Sequence, residues 1–333
     1  MSLLKGAVSF VEFEVAGDLP ESPLGFIGDR IRAMGFRDID DTFDEYSIGW
    51  VSILNMFDHG SSNYHPIVGD YAVASMRIDQ RSIPGAVLRK FVEKEEQRIK
   101  AEKQIPKISR VQRVEIKERI RTELVRKAKP APLVVDMAWN LSTGHVFLFS
   151  TNKSAQAVFE DLFKETFGVS VQRKEYPEAD EFLTWLWWQS MTEGTVDDVN
   201  MVRKVLVSDG TRKVSCAGGI DVHFPEALVG VGIGKIVNTA TIDLTPVGGD
   251  RFSLSLSVPS FEYRSVKLPK IGITGDGASE EDGLIYERIY LFESLTSSIN
   301  GLFAGYIEVR ESPEWDGKMA IIREWAGGDE VTE

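Results

Sequence analysis

The sequence predicts an α+β protein: mixed or antiparallel sheets with packed helices, interrupted by a protruding charged helical hairpin. Three observations predict it. Apolar residues alternate in short runs near both ends of the chain, over 6–15 and in three runs between 235 and 268, the period of half-buried strands. Between them stand longer stretches with apolar residues at helical spacing, several delimited by Pro, Gly or a capping Ser. Finally, residues 81–129 hold sixteen Lys/Arg against seven Glu, a local charge of +9 in a chain of net −13, so everything else carries −22. A field at close range is set by such patches and not by the net charge.

Taken in order, 6–15 reads as a strand, and Leu24, Ile27, Ile31 and Met34 as one face of a helix that Gly35 can close. An acidic run (Asp38, Asp40, Asp41, Asp44, Glu45) leads to an apolar patch at 48–56, a loop at 58–66 and a single strand at 68–78. Pro84 suits the first turn of a helix bearing Val87, Leu88, Phe91, Val92 and Ile99 on one side. Pro106 breaks that helix, and Ser109 is the expected N-cap of a second running to about Ala128. There Arg110, Arg113, Lys117 and Arg121 form a basic stripe, flanked by Val111, Val114 and Val125 on one side and Ile116, Ile120 and Leu124 on the other. Apolar flanks on both sides predict a helix wedged between neighbours.

After Pro130 and Pro132, 133–139 and 145–150 read as a β-hairpin turning at 140–144, then 153–167 as a helix capped by Gly168. Residues 181–191, with Trp185, Trp187 and Trp188, read as a helix, and 200–208 with 211–217 as strands around Asp209-Gly210, a hairpin signal. A short helix at 225–231, an antiparallel meander (235–244, 251–258, 261–268), a Gly- and acid-rich loop at 272–283, a long helix at 284–303 and an acidic tail complete the chain. The expected organisation is a body of 1–83 plus 130–175, an inserted arm at 84–129, and a C-terminal α+β domain at 176–333.

Composition narrows the class. Hydrophobic content of 43% and aromatic content of 10% are ordinary for a folded globular chain. Apolar runs fall far short of the roughly 18 residues that span a bilayer, and residues 1–15 lack a secretory cleavage pattern. The single Cys216 excludes an internal disulfide and a Cys-rich zinc site. A cytoplasmic protein is expected.

The arm is the leading functional candidate. Its surplus cations can neutralise phosphates and release counterions, and with Phe91 its only aromatic it suits duplex backbone contact better than single-strand stacking. The competing reading is a charged arm whose Glu cancel the Lys/Arg at i, i+4. Asp38, Asp40, Asp41, Asp44, Glu45, Asp79 and Asp136 would make a nuclease only if they converged on two ions. The segment Gly230–Lys235 lacks the Walker spacing and reads as a helix end and turn. His59 and His65 share a loop without a third ligand, His145 and His223 read as structural or exposed, and Cys216 as a small hydrophobe. The Trp cluster reads as core.

Several signatures combine to carry a resemblance: Ala33-Met34-Gly35-Phe36, Gly49-Trp50-Val51, Ile83-Pro84 before the arm, Met137-Ala138-Trp139 turning at Gly144 and continuing to Ser154-Ala155, Asp209-Gly210, and Gly234-Lys235-Ile236-Val237. In element order the chain resembles the bacterial recombination-associated RdgC family. The resemblance implies an α+β homodimer closing into a ring. Such a ring binds double-stranded DNA with little sequence preference, without established catalysis, and limits access of a RecA-type recombinase, in association with the nucleoid. It implies no cofactor and no metal. Carried onto this chain, the DNA-facing residues would be Lys90, Lys94, Arg98, Arg110, Arg113, Lys117, Arg121, Arg126, Lys127 and Lys129 on the arm, with Arg203, Lys204, Arg212 and Lys213 beyond it. A metal-dependent nuclease and a self-assembling protein-interaction scaffold are the alternatives.

Overall fold

The computed structural model describes residues 3–20, 23–58, 65–192, 199–209, 211–217, 225–246, 249–270 and 278–327. Its centre is a twelve-stranded sheet: β1 (Val8–Ala16), β2 (Tyr46–Val51), β3 (Ile67–Val68), β4 (Tyr71–Gln80), β5 (Ala131–Asn140), β6 (His145–Leu148), β7 (Ser170–Arg173), β8 (Val199–Ser208), β9 (Lys213–Ala217), β10 (Ile236–Leu244), β11 (Phe252–Ser257) and β12 (Glu262–Lys267). The order is β2-β4-β5-β6-β1-β12-β11-β10-β8-β9, with β3 on β4 and β7 on β1. All the paired strands run antiparallel; the one parallel pairing among the described residues is the isolated bridge Gly35–Trp50. Around the sheet lie α1 (Pro23–Ala33), α2 (Gly85–Lys103), α3 (Arg110–Lys127), α4 (Lys153–Phe167), α5 (Phe182–Thr192), α6 (Pro225–Gly232), α7 (Ala278–Arg310) and α8 (Trp315–Gly327). The α+β class stands.

Strand β1 joins the two halves of the sheet. One edge pairs with β6 over Val11–Glu14; the other pairs with β12 at Val8 and Phe10 and with β7 from Phe13 onward. Side chains alternate across a strand, so Phe10 enters one core with Tyr263 and Phe292, whereas Val11 and Phe13 enter another with α1 and α4. In the second core the α4 residues Phe159, Phe163 and Phe167 recur every four residues and pack around Trp50 and Trp139. The Trp50 Nε1–H donates to Thr166 Oγ1 at 2.8 Å. Helix α4 starts at Asn152, whose side chain accepts from Ser154 N and Ala155 N, and ends at Gly168 with φ 75°, the left-handed position glycine takes without strain.

The structure corrects several expectations. The single strand at 68–78 is two, because Gly69 takes φ 58° and turns β3 back onto β4. Strand β7 and helix α8 were not read from the sequence. Only four residues long, β7 lacks a period to detect; α8 is hidden in an acidic tail but buries Trp315, Met319, Ile322 and Ala326. Helix α7 extends past both expected ends to 33 residues, and its buried residues Ile285, Ile289, Phe292, Leu295, Ile299, Leu302 and Tyr306 recur every three or four. Trp185 and Trp187 are core and Trp188 is half-buried.

Candidate nucleic-acid interface

The arm leaves the sheet where β4 and β5 end. Their last paired residues are Gln80 and Ala131, and the basic segment is the excursion between them. Pro84 stands one residue before α2, at its N-cap position and without a side-chain cap bond, whereas Ser109 caps α3 as expected: Gln112 N donates to Ser109 Oγ at 3.2 Å while the Gln112 side chain accepts from Ser109 N, a capping box. Gln104, at φ 53°, closes α2 in the left-handed conformation before Pro106. The two helices then pack against each other; Leu88, Val92, Ile99 and Ile120 are half-buried and Ile116 is buried.

Helix α3 is not wedged between neighbours. Ile116 faces α2 and Val125 is buried at the arm's root, but Val111 and Val114 on the outer side are 68% and 56% exposed. Neither helix shows more than two buried residues, so the hairpin stands off the body.

Arg81 holds the root. It is buried, and its guanidinium donates to the carbonyls of Ile39 (2.7 Å), Thr42 (3.1 Å), Asp44 (3.0 Å), Asp40 and Ala128. One charge of the basic segment thus clamps the acidic loop 38–45 against the base of α3. The acidic run is a backbone acceptor site as much as a carboxylate cluster.

Four more arm cations are paired. Arg98 bridges Glu95 and Glu102 within α2; Arg119 crosses from α3 to Glu95 and Arg113 to Glu96; Lys127 pairs with Glu123. Hydrogen bonds from Arg98, and then from Arg119, hold the Glu95 carboxyl down at about 2. The Lys127 contact lowers that of Glu123. The other eleven Lys/Arg of 81–129 make no ion pair with any described residue.

Of the candidate contacts, Arg110, Lys117 and Arg121 are exposed, unpaired and on one face of α3. At 1.5 Å rise per residue that face spaces them about 10 and 6 Å apart. Arg113, from the same stripe, is turned to Glu96 at 2.9 Å. Lys90 and Lys94 are exposed on the side of α2 away from α3, Lys90 lying 5.9 Å from the Phe91 ring. Arg126 sits 5.9 Å from the exposed Phe43 ring, and Lys129 is exposed and unpaired. Lys204, Arg212 and Lys213 are exposed around the β8–β9 hairpin, whose turn is built by Asp209 accepting from Thr211 N and Arg212 N. The side chain of Arg203 lies outside the described residues, as does Gly210. These residues stand at the opposite end of the strand order from the arm, so the chain folds with its two cationic groups apart.

The carboxylates do not converge. Asp79 is buried in a two-pronged contact with Arg77 (2.8 and 2.7 Å), and Asp136 accepts from Leu3 N and Ser75 Oγ. Among the described residues no three His, Cys, Asp or Glu side chains form a group that could hold a metal ion. His65 is an exposed loop residue, His145 contacts Glu12 at 2.9 Å, and His59 and His223 lie outside the described residues. Cys216 is half-buried on β9, and burial, followed by the charge of Glu226, pushes its thiol up. The 230–235 segment ends α6 through Gly234 at φ 90°, and the Lys235 ammonium is taken by Asp209 at 3.4 Å.

Two of the signatures meet in space. Phe36 N donates to Trp50 O and Trp50 N to Met34 O. A Cβ on Gly49 would come within 2.5 Å of the Phe36 backbone, so only glycine fits there. A family model described as "Putative exonuclease, RdgC" matches residues 27–209, more than half of the chain, from α1 through the arm to the β8–β9 turn. The chain belongs to the RdgC family. No curated protein matches it. In this RdgC-family chain, the matched span contains the whole arm and its Arg81 root. No helix among the described residues is long and apolar enough to cross a membrane.

Proposed function

We propose that this RdgC-family chain binds duplex DNA without sequence preference, through the phosphate backbone, and acts by occupancy and not by cleavage. The observation that carries this reading is the set of eleven unpaired arm cations, led by Arg110, Lys117 and Arg121 on the outer face of α3. Exposed Lys/Arg without carboxylate partners are the groups that displace condensed counterions from a duplex. They carry no base-reading geometry, and the arm has no stacking platform beyond Phe91, so contact with phosphates and not bases is what they suit. A remainder of −22 repels DNA elsewhere and orients it to the arm. A clamp-like homodimer that limits recombinase access in the nucleoid follows from the family resemblance.

The test is fluorescence anisotropy with a labelled random-sequence duplex across a salt series, with light scattering for mass and Mg²⁺ added in a parallel arm. Dimeric protein whose affinity falls steeply with salt supports the reading. The variant R110E/K117E/R121E should flatten the salt slope by about 3. Unchanged binding by that variant overturns the arm assignment, and Mg²⁺-dependent shortening of the duplex replaces occupancy with cleavage.

A further inference from the structure

The arm is long and its foothold is small. Helix α2 buries no residue, and of the two that α3 buries, Ile116 faces α2 and Val125 lies at the root. The hairpin therefore packs mostly on itself. The 18 residues of α3 reach about 27 Å, so a tilt of about 10° at the root would carry the far end through roughly 5 Å. Exposed Arg110 stands at that far end, with Lys117 and Arg121 between it and the root. Something other than apolar burial must hold their direction.

Arg81 has the geometry for it. It follows directly on β4, is 7% exposed, and its backbone N–H donates to Glu45 O at 2.9 Å. Its guanidinium then reaches two further segments. One is the loop, through the carbonyls of Ile39, Asp40, Thr42 and Asp44; the other is the C-cap residue of α3, through Ala128 O. A cation there also meets the negative end of the α3 dipole. The loop is itself fastened to the body: Ile39 is buried, Ser47 Oγ donates to Arg37 O at 2.6 Å, and Phe36 N donates to Trp50 O. Contact thus runs from β2 through the loop and Arg81 to the foot of α3, and the Phe43 ring, 5.9 Å from Arg126, continues it along the last turn. The acceptors are neutral carbonyls around a buried group, so dissolved salt does not screen them as it screens exposed ion pairs. A lysine could not serve, because its ammonium is a point donor and not a planar fork.

We infer that Arg81 is a positioning residue for the arm: it fixes the angle at which α3 presents Arg110, Lys117 and Arg121, without touching the duplex itself. The inference rests on the reading of the arm as the phosphate-contacting element, and it has a separable consequence. Removing a cation that meets phosphate changes the slope of log affinity against log salt. Removing a residue that only holds the arm at its working angle changes the fraction of molecules poised to bind. Affinity then falls by the same factor at every salt concentration.

Two measurements on the full chain test it. Spin labels at K107C, in the turn between α2 and α3, and at K153C on α4, in a C216S background, report the arm-to-body distance by double electron–electron resonance. The parent should give one narrow distance distribution, and R81Q and R81K should both broaden it. In the duplex anisotropy series the same two variants should run parallel to the parent in the log–log plot, about tenfold weaker, whereas R110E/K117E/R121E flattens the line. A distribution as narrow as the parent's in R81Q and R81K overturns the inference. So does a slope reduced by about 1, which would make Arg81 a phosphate contact. If neither variant melts cooperatively, Arg81 holds the fold and not the angle, and the inference is likewise wrong. A parent that binds no duplex at any salt removes the phosphate reading of the arm alone, since the distance distributions still decide the role of Arg81.

Discussion

Glu12 shows how a single residue can tie the halves of this fold together. It is 2% exposed on β1, and its carboxylate is met by His145 Nε2 at 2.9 Å, the Tyr176 hydroxyl at 2.6 Å and Lys174 Nζ at 3.6 Å. Burial by itself would raise this carboxyl, but the His145 hydrogen bond and the Lys174 charge outweigh it and hold it below the usual range. A carboxylate depressed in the folded state stabilises fully above its unfolded value of about 4.3, and that contribution fades as pH falls toward the folded value. Chemical denaturation of E12Q should therefore show a loss of about 1–3 kcal/mol at pH 7, shrinking toward zero on acidification. A loss independent of pH would place the effect in packing and not in charge. Glu95 has the opposite consequence for binding: it occupies Arg98 and Arg119. E95Q frees Arg119 and should steepen the salt dependence of duplex binding by about 1 in log–log slope. Gly49 is a matter of space. With Phe36 backbone 2.5 Å from where its Cβ would stand, G49A should cost about 3 kcal/mol in thermal or denaturant unfolding.

At the scale of elements, the arm buries few residues, none on α2 and two on α3, and is held by the Ser109 cap and its root. Removing the Ser109 cap costs a helix about 1 kcal/mol. S109A should raise hydrogen-exchange rates across α3 while leaving β4 and β5 protected, because the body's core does not include the arm's tip. Exchange that rises throughout the sheet would mean that arm and body unfold as one unit. Caps, breaks and hairpin turns were legible because each is a local choice: Pro84, Ser109, Gly144 and Gly168 act within one turn of where they stand. Wedging of α3 was misread for the opposite reason. Val111 and Val114 look like a packing face in sequence, but whether anything covers them depends on where the hairpin points. The missing β7 and α8 are likewise elements whose stability comes from partners, β1 for the one and α6 for the other.

For the whole molecule, the arm is an insertion between register partners. Gln80 and Ala131 end an uninterrupted β4–β5 ladder, so joining the next residues, Arg81 and Pro130, through a two-residue Asn-Gly turn in place of 82–129 should leave a folded body. That variant is expected to keep the parent's cooperative melt, reduced by the loss of Arg81's carbonyl contact to Ala128, and to lose duplex binding through the arm. Failure of the body to fold would make the arm a structural element as well as a binding one.

By itself the sequence determined the helix and strand periods, the caps and turns between them, and the charge segregation that singles out 81–129, since each follows from composition or from contacts a few residues apart. The tertiary structure alone decided which cations are available. Arg81 is spent on five carbonyls, Arg98, Arg113, Arg119 and Lys127 on glutamates, and Arg110, Lys117 and Arg121 on no described carboxylate. Cross-strand register likewise set Lys204, Thr241, Ser255 and Arg264 side by side across β8, β10, β11 and β12. Charge and period are properties of neighbours in sequence, whereas pairing and exposure belong to neighbours in space.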